Sequence, residues 1–149
     1  MSVRIAIASD HAGFDLKSTL ATTLTARPDL VVIDHGPVEA VRCDYPDYAS
    51  AVAHSVQKGE ADFGILVCGS GIGVSMVANK HQGIRAALVH NAVTARLSRQ
   101  HNDANIICLG SRIIGDVLAQ EAVDAFLVAD FEGGRHAQRL AKMAAVEEA

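Results

Sequence analysis

Residues 63–79 read FGILVCGSGIGVSMVAN. The apolar run Phe63–Val67 has the length and composition of a strand buried on both faces. At Cys68 the run breaks into Gly69, Gly71 and Gly73, and the spacing then resumes as a short helix over Ile72–Asn79. Glycines at such a break let the backbone turn tightly and aim successive N–H groups outward, which suits an anion or oxyanion at a helix start. A helix N-terminus also favours a thiolate over a thiol, so Cys68 stands where a thiolate would be stable and useful. The segment points to chemistry as well as to ligand holding.

Outward from this unit the same alternation repeats. Arg4–Ala8, Val31–Asp34, Arg85–Val89 and Asn105–Leu109 read as further strands, most of them continuous enough for burial on both faces. Helical spacing covers about Gly13–Thr25, Asp47–Lys58, Ala92–His101, Gly115–Ala129 and Arg135–Glu148. Five strand–helix cycles predict a single-domain, Rossmann-like α/β fold over residues 1–149. Its sheet would be five-stranded and parallel, with right-handed crossovers and helices on both faces. The one extended connection without periodicity is Gly36–Pro46.

Composition narrows the class. With 149 residues, 50% of them hydrophobic but only four Phe, two Tyr and no Trp, the core must be built from Ala, Val, Ile and Leu. A formal charge of −4 and the lack of a concentrated Lys/Arg face argue against nucleic acid. Asp10 and His11 interrupt the first apolar run, and no apolar segment approaches membrane-spanning length, so no membrane partner is expected. Three cysteines without CxxC spacing indicate neither a disulfide framework nor a zinc site, which suits a reduced cytoplasmic setting.

In parallel sheets ligands bind beyond the carboxyl ends of the strands. Just past the predicted strands lie Ser9-Asp10-His11, His35-Gly36, Cys68-Gly69-Ser70-Gly71, His90-Asn91 and Gly110-Ser111-Arg112. Asp, His, Cys, Ser and Arg thus converge on one rim. Cys43 and Cys108 read as small buried hydrophobes, and His54 and His81 as surface residues. The glycine run fails the dinucleotide fingerprint, whose third glycine would fall at Val74, and lacks the Gly-Lys-Ser/Thr ending of a P-loop. Asp10-His11 reads either as a helix cap with a solvated imidazole or as a carboxylate–imidazole pair for proton transfer and anion holding. His101 reads either as a dipole partner at a helix C-terminus or as an acid–base group. Arg135 and Arg139 share a helix face, and cations in a first turn oppose the macrodipole. A bound phosphate would account for them; a solvated basic face is the alternative.

The segments SDHAGF (9–14), DYPDYA (44–49), CGSGIGVSMVANK (68–80), GIRAAL (83–88), LSRQHNDANIICLGSR (97–112) and FEGGRHAQR (131–139) resemble, in order and over essentially the full length, the type B ribose-5-phosphate isomerase family. That group also holds the galactose-6-phosphate isomerase subunits. The resemblance implies aldose–ketose isomerisation through a cis-enediolate, without cofactor or metal. It implies Cys68 as the base between C2 and C1, His101 as the ring opener helped by Asp10, and Ser70 beside the migrating hydroxyl protons. It places the enediolate on the N–H groups of Gly69 through Gly73, the phosphate on His11, Arg135 and Arg139 with Arg112 nearby, and sugar hydroxyls on Asp10, Tyr45 and Asn102. A homodimer or homotetramer with sites shared between subunits is implied too. Many cysteine-type members carry Thr at the position of Ser70. The alternatives are an isomerase of six-carbon or unphosphorylated aldoses on the same scaffold, and a non-catalytic sugar-phosphate-binding module, which would need neither Cys68 nor His101.

Overall fold

The strands β1 (Val3–Ser9), β3 (Phe63–Cys68) and β5 (Ile106–Gly110) are continuous apolar runs because both of their faces are covered, and they occupy the centre of the sheet. β2 (Leu30–Asp34) and β4 (Ala86–Leu88) are its edges. The computed structural model, which describes residues 1–149, has all five strands parallel in the order β2-β1-β3-β5-β4. The expected β4, Arg85–Val89, is cut to three residues. It pairs on one side only, and Arg85 N–H is drawn off to the Asn105 side chain at 2.8 Å.

Side-chain alternation along each strand divides the core in two. Ile5, Ile7, Ile65, Val67, Ile107 and Leu109 face one way, against α1 (Phe14–Thr25), α4 (Ala92–Asn102) and α5 (Asp116–Val128). Phe126 of α5, fully buried, meets Phe63 edge to face at 5.2 Å. Burial of such a side chain is worth about 2–3 kcal/mol. Ala6, Ala8, Leu66, Cys68, Ile106 and Cys108 face the other way, against α2 (Tyr45–Gln57) and α3 (Ile72–Ala78). This second face is rich in small residues, Ala6, Ala8, Cys68 and Cys108, and α2 packs on it through Ala49, Val52 and Ala53. Cys68 therefore emerges from a tightly filled layer at the end of its strand.

Two expectations are corrected. α2 begins at Tyr45 rather than Asp47, because Pro46 is tolerated in a first helical turn, where its missing N–H has no partner to lose. Cys43, expected buried, is only half-buried on the 36–44 connection. Cys108 is fully buried, and burial with the neighbouring Cys68 pushes its thiol up, so it stays protonated. The last helix, α6 (Arg135–Val146), lies largely in solvent and buries only His136.

Candidate active site

Because β2 lies on one side of β1 and β3 on the other, the chain leaves β1 and β3 in opposite directions, and a crevice opens beyond their carboxyl ends. A cavity of about 620 Å³ occupies this switch point. Asp10, His11, Tyr45, Cys68, Ser70 and Arg112 line it, and Ile72, Met76 and Ile113 supply its apolar wall. A larger hollow of about 840 Å³ beneath α6 contains Asn102, Lys80 and Arg85 but no cysteine, serine or histidine.

The glycine turn is built around the sulfur. Cys68 is 5% exposed, and its Sγ accepts a hydrogen bond from Gly71 N–H at 3.1 Å. Ile72 N–H donates to Ser70 Oγ at 3.2 Å, which leaves the serine hydroxyl proton free to donate. The amides of Gly69 and Ser70 make no hydrogen bond within the chain. Of the amide run expected to hold an oxyanion, these two and that of Gly73 are thus available, while Gly71 serves the thiol and Ile72 the Ser70 oxygen. Gly71 has φ +78°, and a β-carbon there would fall 2.6 Å from Leu88 Cδ1, so only glycine fits. Arg112 leans over the same turn: a β-carbon on Gly69 would lie 3.4 Å from its Nη1.

Asp10 is buried at 7% exposure, and its Oδ1 accepts the Gly13 N–H at 2.9 Å. It braces the turn after β1, while the helix cap itself falls to Gly13, without a side-chain bond. His11 Nδ1 lies 3.3 Å from both the N and the O of Cys43, which directs the other edge of the ring away from that loop. The loop in turn is held by Lys17, 3% exposed, whose Nζ donates to both Asp34 oxygens (3.1 and 3.0 Å) and to Pro37 O at 2.9 Å. Tyr45, at the first turn of α2, lays its ring on Gly73: a β-carbon there would fall 2.5 Å from Tyr45 Cε1.

His101, Asn102, Arg135 and Arg139 do not line the Cys68 cavity. They form a second patch at the C-terminal end of α4 and the start of α6. His101 and His136 stack with ring centroids 4.4 Å apart and planes at 13°. Glu132 Oε1 stands 3.8 Å from His101 Nε2 and 3.7 Å from His136 Nε2. Three donor atoms within 4.8 Å of one another invite comparison with a metal centre. Stacking brings the two rings face to face on one carboxylate, an imidazole pair around Glu132. Glu132 and His136 do not stand out in the sequence; their i, i+4 spacing across Gly133-Gly134 is the available signal. His35 and His90, each just beyond a strand, stay outside the cavity.

A carboxylate, an imidazole, a hydroxyl and a guanidinium around one thiol, at the switch point of a parallel sheet, define a Rossmann-like α/β protein with a candidate acid–base site. The ribose/galactose isomerase family model matches residues 5–143. The chain is 49% identical to ribose-5-phosphate isomerase B of Escherichia coli K12 over 145 residues, 97% of each chain. The Clostridium thermocellum ribose-5-phosphate isomerase B structure superposes with a TM-score of 0.96 at 48% identity, covering 98% of each chain. The Mycoplasma genitalium enzyme, solved with bound ribulose-5-phosphate, gives a TM-score of 0.93 at 47% identity, covering 99% of this chain and 98% of that one. The chain belongs to the ribose/galactose isomerase family.

Proposed function

We propose that this chain interconverts D-ribose 5-phosphate and D-ribulose 5-phosphate with Cys68 as the proton-transferring base. The observation that carries the reading is the Cys68 sulfur, held by Gly71 N–H at the switch-point cavity beside the unengaged amides of Gly69, Ser70 and Gly73. The family and the names of its close relatives supply the sugar.

The chemistry comes from the groups. Ring opening breaks the C1–O4 bond: the ring oxygen takes a proton from His101, and the C1 hydroxyl gives one up toward the Asp10 carboxylate. The Cys68 thiolate then removes the C2 proton, and the charge that appears on O1 falls to the amides of Gly69 and Ser70. The same sulfur returns its proton to C1, while Ser70 Oγ relays the O2 proton to O1. The atoms balance with no change in oxidation state overall. Arg135 and Arg139 with His11 and Arg112 hold the phosphate, and Tyr45 and Asn102 bind hydroxyls.

His101, Asn102, Arg135 and Arg139 lie apart from the Cys68 cavity on an exposed patch of the same chain. Two copies related by a twofold axis would bring one copy's patch to the other's cavity and complete two sites at once. Exposed Ile72, Met76, Leu88 and Val93 provide apolar surface for such a pairing. No helix is long and apolar enough to cross a membrane.

Cys68→Ala tests the base. Its turnover should fall by about 10²–10⁴ while ribose 5-phosphate still binds. Near-native turnover would remove Cys68 from this role, and binding without turnover in the unmutated chain would leave only a sugar-phosphate module. Ser70, lacking the methyl of threonine, widens the rim beside the reacting carbons. Relative kcat/KM for ribose 5-phosphate, allose 6-phosphate and free aldoses decides whether this admits a longer or unphosphorylated sugar.

A further inference from the structure

The isomerisation uses His101 but neither of the groups packed against it. Glu132 is fixed to the helix that carries His101: its N–H donates to Gln100 O at 3.0 Å, one residue before the imidazole. The chain then turns through Gly133 (φ +66°) and Gly134 (φ +56°), two consecutive left-handed residues with open space around them. Their use is therefore conformational, and L side chains resist it. The turn starts α6 so that His136, four residues after Glu132, comes back under the same carboxylate. Both imidazoles address Glu132 Oε1, at 3.8 and 3.7 Å, and the buried ring of His136 lies flat on the half-exposed ring of His101.

From this geometry we infer that Glu132 and His136 are positioning residues for ring opening: His136 sets the plane of His101, and Glu132 supports the charge His101 carries as an acid. The proposal rests on the reading of His101 as the ring opener. The titratable and charged groups facing the pair are Glu132 from the α5–α6 connection, and Arg135 and Arg139 from α6. Burial, with His101, Arg135 and Arg139 nearby, holds His136 below the usual imidazole range, so the buried ring stays neutral beside its partner. A flat, buried ring on one face and a carboxylate at the edge hold the half-exposed imidazole in one orientation. In this arrangement Glu132 stands at the imidazole edge as an orienting carboxylate does beside a catalytic histidine.

The chemistry of the two substrates separates this role from a merely structural one. Ribose 5-phosphate is a furanose and must be opened. Ribulose 5-phosphate has its C5 oxygen esterified, cannot close a furanose ring, and enters already open; the aldehyde it yields can cyclise in water after release. A defect confined to ring opening therefore slows the reaction from ribose 5-phosphate and spares the reaction from ribulose 5-phosphate.

Glu132→Gln, at an exposed position, is assayed in both directions beside His101→Asn, with His136→Phe and His136→Ala as a second pair. The expected result for Glu132→Gln is about a 10-fold loss from ribose 5-phosphate with less than about a twofold change from ribulose 5-phosphate. His136→Phe, which keeps a flat ring in place, should retain more of the forward rate than His136→Ala. Equal losses in the two directions, or no loss, overturn the positioning role. If His101→Asn itself shows no directional split, the ring-opening reading falls and takes the proposal with it. A split in His101→Asn without one in Glu132→Gln overturns the proposal alone.

Discussion

Gly73→Ala is a small change with a large geometric consequence. The new β-carbon would stand 2.5 Å from Tyr45 Cε1, 2.6 Å from Cζ and 3.0 Å from Oη. Carbon atoms in contact need roughly 3.5 Å, so the phenol must retreat by about 1 Å. The ring is free to do so, being 39% exposed at the start of α2. Gly73 lies within α3, where alanine gains up to about 1 kcal/mol of helix propensity. Stability should therefore hold or rise slightly, while a displacement of about 1 Å in a substrate-binding group costs about 10- to 100-fold in kcat/KM. Chemical denaturation and steady-state kinetics on the same preparation give the two numbers. A double-mutant cycle isolates the cause: with Tyr45→Ala already present, Gly73→Ala should cost less than about twofold. Full activity in Gly73→Ala, or an undiminished loss in the Tyr45→Ala background, would refute the placement of the phenol over the substrate.

Arg135→Ala and Arg139→Ala should each raise KM for ribose 5-phosphate about 10-fold, as expected for loss of a charge-assisted contact, and the effect should vanish with unphosphorylated ribose. Lys17→Met keeps the buried stem but removes the bonds to Asp34 and Pro37 O. Because the Asp34 side chain is 41% exposed and can rehydrate, a loss of about 2 kcal/mol in urea unfolding is expected at an unchanged m-value, with weaker phosphate binding as the loop behind His11 loosens. Burial, together with positive neighbours, lowers the proton affinity of His136 in the folded state, so below the ordinary imidazole value of about 6.5 the unfolded chain binds more protons there than the folded one. Stability should therefore fall as pH drops through that range, and His136→Phe should flatten this segment of the stability–pH curve.

The sheet is legible in the sequence because its central strands are buried on both faces and leave unbroken apolar runs, and because glycine and proline mark their ends. Legibility fades where burial is one-sided. The edge strand β4 has a single partner, and its regular pairing shortens to Ala86–Leu88, with Arg85 N–H diverted to the Asn105 side chain. At α2 the misreading comes from treating Pro46 as the end of a loop; a proline in a first turn begins a helix, and here it carries Tyr45 into place over Gly73. Cys43 looks like a buried hydrophobe by composition, but its backbone is spent on His11 and its side chain stays half out.

The rim rule, that function gathers beyond the strand ends, brings Asp10, His11, Cys68, Ser70 and Arg112 to one cavity and fails for His35 and His90. The rule takes no account of strand order. Only β1 and β3 flank the switch point, and β5, next to β3, brings Arg112 over the glycine turn; β2 and β4 point their ends to the flanks. His101, Asn102, Arg135 and Arg139 expose a deeper gap. A one-dimensional pattern marks residues as chemically able but not as belonging to the same cavity of the same chain, and the proposed symmetric pair would satisfy the pattern without any one chain doing so. On the proposed twofold pairing, the catalytic rate becomes a reporter of association. Dilution below the dimer dissociation constant should abolish turnover while the fold of each chain persists. Assayed at substrate far below the raised KM, mixing Cys68→Ala with Arg135→Ala-Arg139→Ala chains, each nearly silent alone there, should restore about a quarter of the native sites if subunits exchange at random, because one of the two cavities in each mixed dimer then has an intact set. Two mutants that stay silent when mixed, with exchange confirmed by mass, would show that each chain completes its own site.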